Sequence, residues 1–313
     1  MDQCSVESFG HTAILPDFVL EIKKDYIISM TDIRIGTCSW KYPSWEGLVY
    51  SSREPANYLE EYARKYNTVE VDQWFWSLGK SGAALPRRET VAEYDSATPA
   101  DFLFTVKCPN SLTLTHQYAR KGEPLVENSR FLDVEFFLRF IESLAPLIPK
   151  VGLFIFQFEY LNKDKMESKA KFLEGLASFM DSLPADFPYA FEIRNPRWVD
   201  AEWFGLLKEK KVAPVFLQGY WMDDVAKTLN TYGNLIGNTF CVRLHGEDRE
   251  GMEEKTGEDW SKIVRPKDEE LVHIIPSIKI LAENGKKGFI NTNNHYEGSA
   301  PKTIEKIEAF IKP

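Results

Sequence analysis

Cysteine is scarce in this 313-residue chain: Cys4, Cys38, Cys108 and Cys241 lie far apart, with no CxxC pair. That spacing excludes a zinc ribbon or a disulfide framework and fits a reducing, cytoplasmic compartment. No apolar run reaches the ~20 residues that cross a bilayer, which argues against a membrane role. The N-terminal stretch lacks a basic start, and Pro16 and Asp17 interrupt its apolar run, so no signal peptide is expected. Positive charge is in deficit, 38 Lys and Arg against 47 Asp and Glu, for a net charge of -9. A protein that binds nucleic acid mainly through its global field is disfavoured, although a local basic cleft is not. Three catalytic signatures are also missing. The first strand-to-helix turn lacks GxGxxG, there is no HExxH or close histidine pair, and no GxSxG elbow occurs. A dinucleotide fold and a Ser-His-Asp hydrolase lose their main support, and no cofactor is assigned.

What is present is an alternation of strand-like and helix-like segments, in a composition ordinary for a globular protein (43% hydrophobic, 27% charged). Strands are predicted over 33–40, 68–76, 101–109, 151–158, 189–196, 213–219, 238–246 and 287–294. Helices are predicted over 54–66, 87–97, 131–144, 165–183, 200–211 and 268–284, the last kinked at Pro276, and a final one from about Ser299. Eight such units predict a single α/β domain, a TIM-like (β/α)8 barrel over residues 33–313, preceded by an N-terminal extension over 1–32.

The stretch TVEVDQWFW (68–76) looks like a buried strand, yet Glu70 and Asp72 share one face and Val69 and Val71 the other. The same parity recurs: Thr105 with Lys107, Gln157 with Leu153 and Ile155, Glu192 with Arg194, Gln218 with Phe216, Cys241 with Arg243 and His245, and Asn291 with Asn293. In a closed barrel this row points to the axis, near the C-terminal mouth where active sites form. Three acids and three permanent cations roughly balance there, as buried charges must. A purely structural ion-pair network would show the same parity. The amides and the histidine at the same level favour a site.

The loops after the strands are rich in aromatics: Trp40, Tyr42, Trp45, Trp74, Trp76, Tyr118, Trp198, Tyr220, Trp221 and Tyr296. Together they predict stacking against a flat or sugar-like ligand. One long loop carries His116, Arg120 and Lys121; another, 247–266, is read as a mobile lid or a solvated insertion. Gly298 and Ser299 could offer amides to a phosphate, with Arg243 and His245 adjacent. Glu70, Asp72, Glu192, His245 and His295 could ligate a metal, but the guanidiniums of Arg194 and Arg243 oppose a dication, and no metal site is predicted. Cys38 is read as a small buried residue rather than a nucleophile.

The sequence resembles the YecE-like proteins, the domain of unknown function seventy-two, over roughly residues 33–311. The resemblance rests on Ile35 to Trp40 with Tyr42 and Trp45, Thr68 to Val71, Phe104 to Lys107 with Thr115-His116, and Phe156-Gln157. It continues through Glu192 to Asn195 with Trp198, Val242 to Gly246, and Asn293-Asn294. The chain departs from the commoner pattern at Asp72-Gln73-Trp74 and carries Asn195 where histidine is frequent. The resemblance implies a TIM-barrel fold and supplies no reaction. The expectation is an enzyme of hydrolase or isomerase type, acting on a phosphorylated or sugar-like anion. Glu70 and Glu192 would be its acid/base pair, with His245 beside them. Lys107, His116, Gln157, Arg194 and Arg243 would bind substrate, and Trp40, Trp74, Asn293 and Asn294 would shape the pocket. The alternatives are a non-catalytic module for single-stranded nucleic acid or nucleotides and a scaffold with a purely structural interior.

Overall fold

A computed structural model describes residues 33–79, 82–119 and 122–311. The proposed extension 1–32, and Arg120 and Lys121, lie outside these residues. Eight parallel strands close into a barrel: β1 (Ile33–Cys38), β2 (Thr68–Val71), β3 (Leu103–Lys107), β4 (Val151–Gln157), β5 (Tyr189–Glu192), β6 (Ala213–Gly219), β7 (Thr239–Gly246) and β8 (Lys287–Thr292). Each pairs with its sequence neighbours, and β1 closes the ring on β8 through Ile33↔Gly288 to Thr37↔Thr292.

The connecting helices are α1 (Tyr58–Lys65), α2 (Arg88–Ser96), α3 (Val134–Ser143), α4 (Lys169–Ser182), α5 (Ala201–Glu209), α6 (Val225–Tyr232), α7 (Arg249–Thr256), α8 (Asp268–Glu283), α9 (Asn294–Glu297) and α10 (Ala300–Ile311). Short polar side chains start many of them. Asn57, Asp133, Ser168, Asp200 and Asp224 each accept a hydrogen bond from an otherwise unpaired first-turn amide. The α8 helix runs through Pro276 as one element. Helix α6 follows Gln218 and Gly219, where no helix was expected.

Helices pack on the outer faces of the strands. On α3, Phe136, Phe137, Phe140 and Ile141 are buried, and Phe137 meets Phe154 and Phe156 of β4 at 5.6 and 5.1 Å. Burying each such ring contributes about 1.5–3 kcal/mol. The inner faces form a separate apolar floor of Leu103, Leu153, Ile155, Ala190, Ala213, Val215, Cys241 and Phe289. One residue pair further along β2, β3, β5, β7 and β8, this floor gives way to polar side chains.

One inward assignment is corrected. Leu217 of β6 lies opposite Arg243, and Gln218 lies opposite Leu244. Gln218 therefore faces outward, where it accepts from Val225 N at 2.9 Å and donates to Glu270 at 2.7 Å. At the mouth, β6 and β7 end in close contact: a Cβ on Gly219 would lie 2.1 Å from Gly246 O, and one on Gly246 would lie 2.4 Å from His295 O. Only glycine admits that approach, and both residues have positive φ. Strand β2 ends at Val71, so Asp72 to Trp76 turn over the mouth instead of extending the strand.

Candidate active site

Arg243 sits at the centre of the polar layer, 1% exposed. Its Nε and Nη2 donate to the two oxygens of Glu70 at 2.8 and 2.6 Å. Its Nη1 donates to Glu192 Oε2 at 2.5 Å and to Gln157 Oε1 at 2.9 Å. Arg194 Nε donates to the other Glu192 oxygen at 3.0 Å. Asn291 Nδ2 bridges Glu70 Oε2 and Thr105 Oγ1, both at 2.9 Å. The two fully buried carboxylates are thus neutralised by two guanidiniums, which such burial requires. Burial opposes ionisation of Glu192, but Arg243 and Arg194 outweigh it and hold its carboxyl below the usual range.

Above this layer lie groups with fewer commitments. Lys107 ends β3; its Nζ stands 3.8 Å from the Phe75 ring centroid, with no hydrogen-bond acceptor among the described residues. Burial, then the like charge of Arg243, push the ammonium down to about 8, although Glu70, Asp72 and Glu192 pull the other way. Burial and the neighbouring Glu70 push the Asp72 carboxyl up, against Lys107 and Arg243. Burial, then Arg243, Arg194 and Lys107, hold His245 well below its ordinary value, so its imidazole is neutral. Its Nε2 lies 3.5 Å from Cys38 Sγ. Burial and Glu70 push the Cys38 thiol up, which opposes a thiolate nucleophile. The guanidinium of Arg194 lies 4.7 Å from the Tyr220 ring, and Tyr220 holds a left-handed backbone at φ 54°, uncommon for a bulky residue.

The aromatics sort into two groups. Trp40, Trp45 and Tyr296 are buried packing residues, with Trp40 edge-on to Tyr94 at 4.9 Å. Trp74 is half-buried and also stacks on Tyr94, at 5.7 Å. Exposed at the mouth are two pairs, Trp76 with Tyr118 and Tyr160 with Trp221. Beside the second pair is a cleft of about 1000 Å³, lined by Tyr160, Lys163, Arg197, Trp198 and Trp221 among others. Asn195 shapes its floor: the side chain donates to Leu161 O and accepts from Leu161 N, both at 2.9 Å.

Other expected residues do different work. His116 bonds Thr115 Oγ1 within its own loop. Asn293 caps α9 by accepting from His295 N, and Asn294 Oδ1 accepts from Ala300 N at the start of α10. The phosphate cradle read at Gly298 and Ser299 is corrected. The Gly298 amide is bonded to Asn294 O, and a Cβ there would lie 2.7 Å from Lys262 O, so chain already covers the position. The 247–266 segment is built and anchored. It contains α7, whose Glu253 meets His295 Nε2 at 3.1 Å, and Trp260 packs edge-on against the same ring at 4.9 Å.

Cys38, Glu70 and His245 bring one ligand atom each within 4.8 Å of one another. Both Glu70 oxygens already accept from Arg243, so a dication there would displace a guanidinium from a buried carboxylate. From the sequence, Asp72 received no catalytic or substrate-binding role, although it stands beside this layer. Its signal was present in the two-residue spacing from Glu70.

Fold and interior together define a (β/α)8 barrel with a charged, hydrogen-bonded axis opening at the C-terminal ends of its strands. The chain belongs to the family described as "Protein of unknown function DUF72", whose profile it matches over residues 34–312. It is 32% identical over 167 residues to the UPF0759 protein YecE of Escherichia coli K12, and equally to that of strain O157:H7. The match covers 53% of this chain and 50% of the relative, so the chain spans about half the length of the curated relatives it matches. Among solved structures, a DUF72 protein of Thermotoga maritima superposes with a TM-score of 0.65 at 21% identity, covering 90% of this chain and all of that one (100%). A DUF72 protein of Enterococcus faecalis gives 0.64 at 20% identity, covering 88% and 94%. At these identities the likeness establishes the fold alone.

Proposed function

We propose that the protein is an enzyme acting on a small anion, phosphorylated or sugar-like, by hydrolysis or isomerisation at the C-terminal mouth. One observation carries this reading. Glu70, Arg243, Glu192 and Arg194 balance one another, and beside them stands Lys107 with no hydrogen-bonded partner among the described residues. A layer built only for packing would pair that lysine. Lys107 and the outer edge of Arg194 are the donors suited to a substrate anion. His245, held neutral, can accept a hydrogen bond, and the raised Asp72 carboxyl keeps a proton more readily than an ordinary aspartate. Glu70 and Glu192, read from the sequence as the acid/base pair, serve here as the counter-charges that fix Arg243. The free thiols of Cys38, Cys108 and Cys241 fit a reducing, cytoplasmic setting. No helix among the described residues is long and apolar enough to cross a membrane.

The two exposed aromatic pairs also suit stacked bases, the feature that favours a single-stranded nucleic-acid module. Thermal-shift titration separates the two. Sugar phosphates or inorganic phosphate should raise Tm, by about 2.7 kcal/mol of stabilisation at a hundredfold excess over Kd. Failure of every such compound to shift Tm, together with oligonucleotide binding that weakens steeply with salt, would overturn the enzyme reading.

A further inference from the structure

Two lysines among the described residues are buried, and they are treated differently. Lys150, 9% exposed, donates to Asp95 O and Thr98 O at 2.5 and 2.8 Å and pairs with Asp95 Oδ1 at 2.8 Å. That is how a structural lysine is satisfied. Lys107, 7% exposed, has an aromatic face beside it and no hydrogen-bond acceptor among the described residues. At 7% exposure its ammonium is not completely sealed from solvent. It closes β3 at the barrel end where reacting groups collect. The charged and titratable groups around it are Arg243 and His245 of β7, Glu70 of β2, Asp72 of the turn after β2, Glu192 of β5 and Cys38 of β1.

We infer that Lys107 is a nucleophile that condenses with an aldehyde or ketone carbon of the small anionic substrate to form an imine. This rests on the small-anion reading above. The amine lone pair attacks the carbonyl carbon, and the C=O π pair moves to oxygen, which takes a proton. The nitrogen loses a proton, giving a neutral carbinolamine. The nitrogen lone pair then forms C=N as the C–O bond breaks, the hydroxyl leaves with a second proton as water, and the nitrogen, keeping its one hydrogen, is left as the protonated imine. One water is released, and nothing is oxidised or reduced. Asp72, an electrostatic neighbour with a raised carboxyl, is the group suited to give oxygen its proton. Arg194 is suited to the anion, and the Phe75 ring limits hydration of the amine. An imine withdraws electrons from the adjacent carbon, so the chemistry served is isomerisation or carbon–carbon bond cleavage next to a carbonyl. With the amine titrating at about 8, just under a tenth is neutral at pH 7, against well under one part in a thousand for an ordinary lysine.

The test traps the imine on the whole protein. Dihydroxyacetone phosphate and glyoxylate are the probes, sodium cyanoborohydride the trap, and peptide mass mapping the readout. The reduced adduct is expected on Lys107 roughly tenfold faster than on any surface lysine, after allowing for the lower basicity of a depressed amine. Its rate should rise as pH passes about 8. Glycerol 3-phosphate, which carries the anion and no carbonyl, should slow it, and Lys107→Arg should abolish it. An unmodified Lys107 while surface lysines are labelled overturns the inference, and because this is read on the natural protein it does not depend on a variant folding. In that event glycerol 3-phosphate decides how far the failure extends. If it still raises Tm, the anion site stands and only the imine falls; if neither it nor any sugar phosphate nor inorganic phosphate does, both fall.

Discussion

Arg243 balances two carboxylates at once, and both depend on it. Removing one partner from a buried pair leaves an uncompensated charge in a poorly hydrated site. Arg243→Ala should therefore cost about 3–5 kcal/mol, read as a lower urea midpoint with unchanged slope. A loss under about 1 kcal/mol would show that water replaces the guanidinium, as at a surface pair. Lys107 has the opposite sign. Its folded value, about 8, lies below the unfolded 10.5, so the native state resists its protonation. That cost is full below pH 8 and is relieved as pH rises from 8 to 10.5, where the unfolded chain binds the proton and the native state does not. The difference between the two values corresponds to about 3 kcal/mol at most. Lys107→Met should accordingly raise Tm at pH 7, with the gain shrinking between pH 8 and 10.5. A destabilised variant at pH 7 would mean the ammonium is held by contacts better than those seen. Stability given up at one residue is what a working group costs a fold.

At the scale of elements, α7 and the turn after it are held over the mouth by side-chain anchors and by Val264 N and Arg265 N, which donate to Glu297 O. Met252 and Trp260 are buried, Trp260 meets His295, and its amide donates to Ser44 Oγ at 3.1 Å. Trp260→Ala should free this segment while leaving the barrel intact, so trypsin should cut at Lys255 and Lys262 several-fold faster. Unchanged cleavage would place the anchor elsewhere, in the Glu253–His295 contact. The structured segment was illegible in its sequence because dense charge suits a solvated loop as well as an exposed helix. Helix α6 was missed for a related reason. VAKTLNTY is short, with three β-branched residues and one Asn, and only Val225, Ala226 and Leu229 are buried. The legible sign was Asp224, a capping residue just before them. Gln218 was turned the wrong way because APVFLQG is apolar on both faces, as a doubly covered parallel strand is. Without alternation, nothing local sets its parity. Where one face carried charge, as in Glu70, Lys107, Glu192 and Arg243, the parity read from the sequence agrees with the barrel.

Across the whole molecule, the contacts that make the site are long-range: Arg243 reaches Glu70 over 173 residues and Glu192 over 51. The sequence shows which side chains face the axis, but which acid meets which cation follows only from ring closure and from stagger between strands. Closure also ties the state of one carboxylate to the stability of the barrel. The Glu192 carboxyl titrates below its ordinary 4.5 in the native state, because Arg243 and Arg194 outweigh the burial that opposes its charge. In acid the unfolded chain therefore takes up this proton first. The stabilisation from Glu192 is fully present above about pH 4.5 and is lost as pH falls through the lower native value. Glu192→Gln should be less stable than the natural protein at pH 7, and the difference should shrink steadily below pH 4.5. Because Glu192 is joined through Arg243 to β2 and β7, tryptophan fluorescence and far-ultraviolet circular dichroism should report one coincident transition throughout. If the difference stays constant down to pH 3, or if the two signals separate, then Glu192 is not coupled through Arg243 to the closure of the barrel.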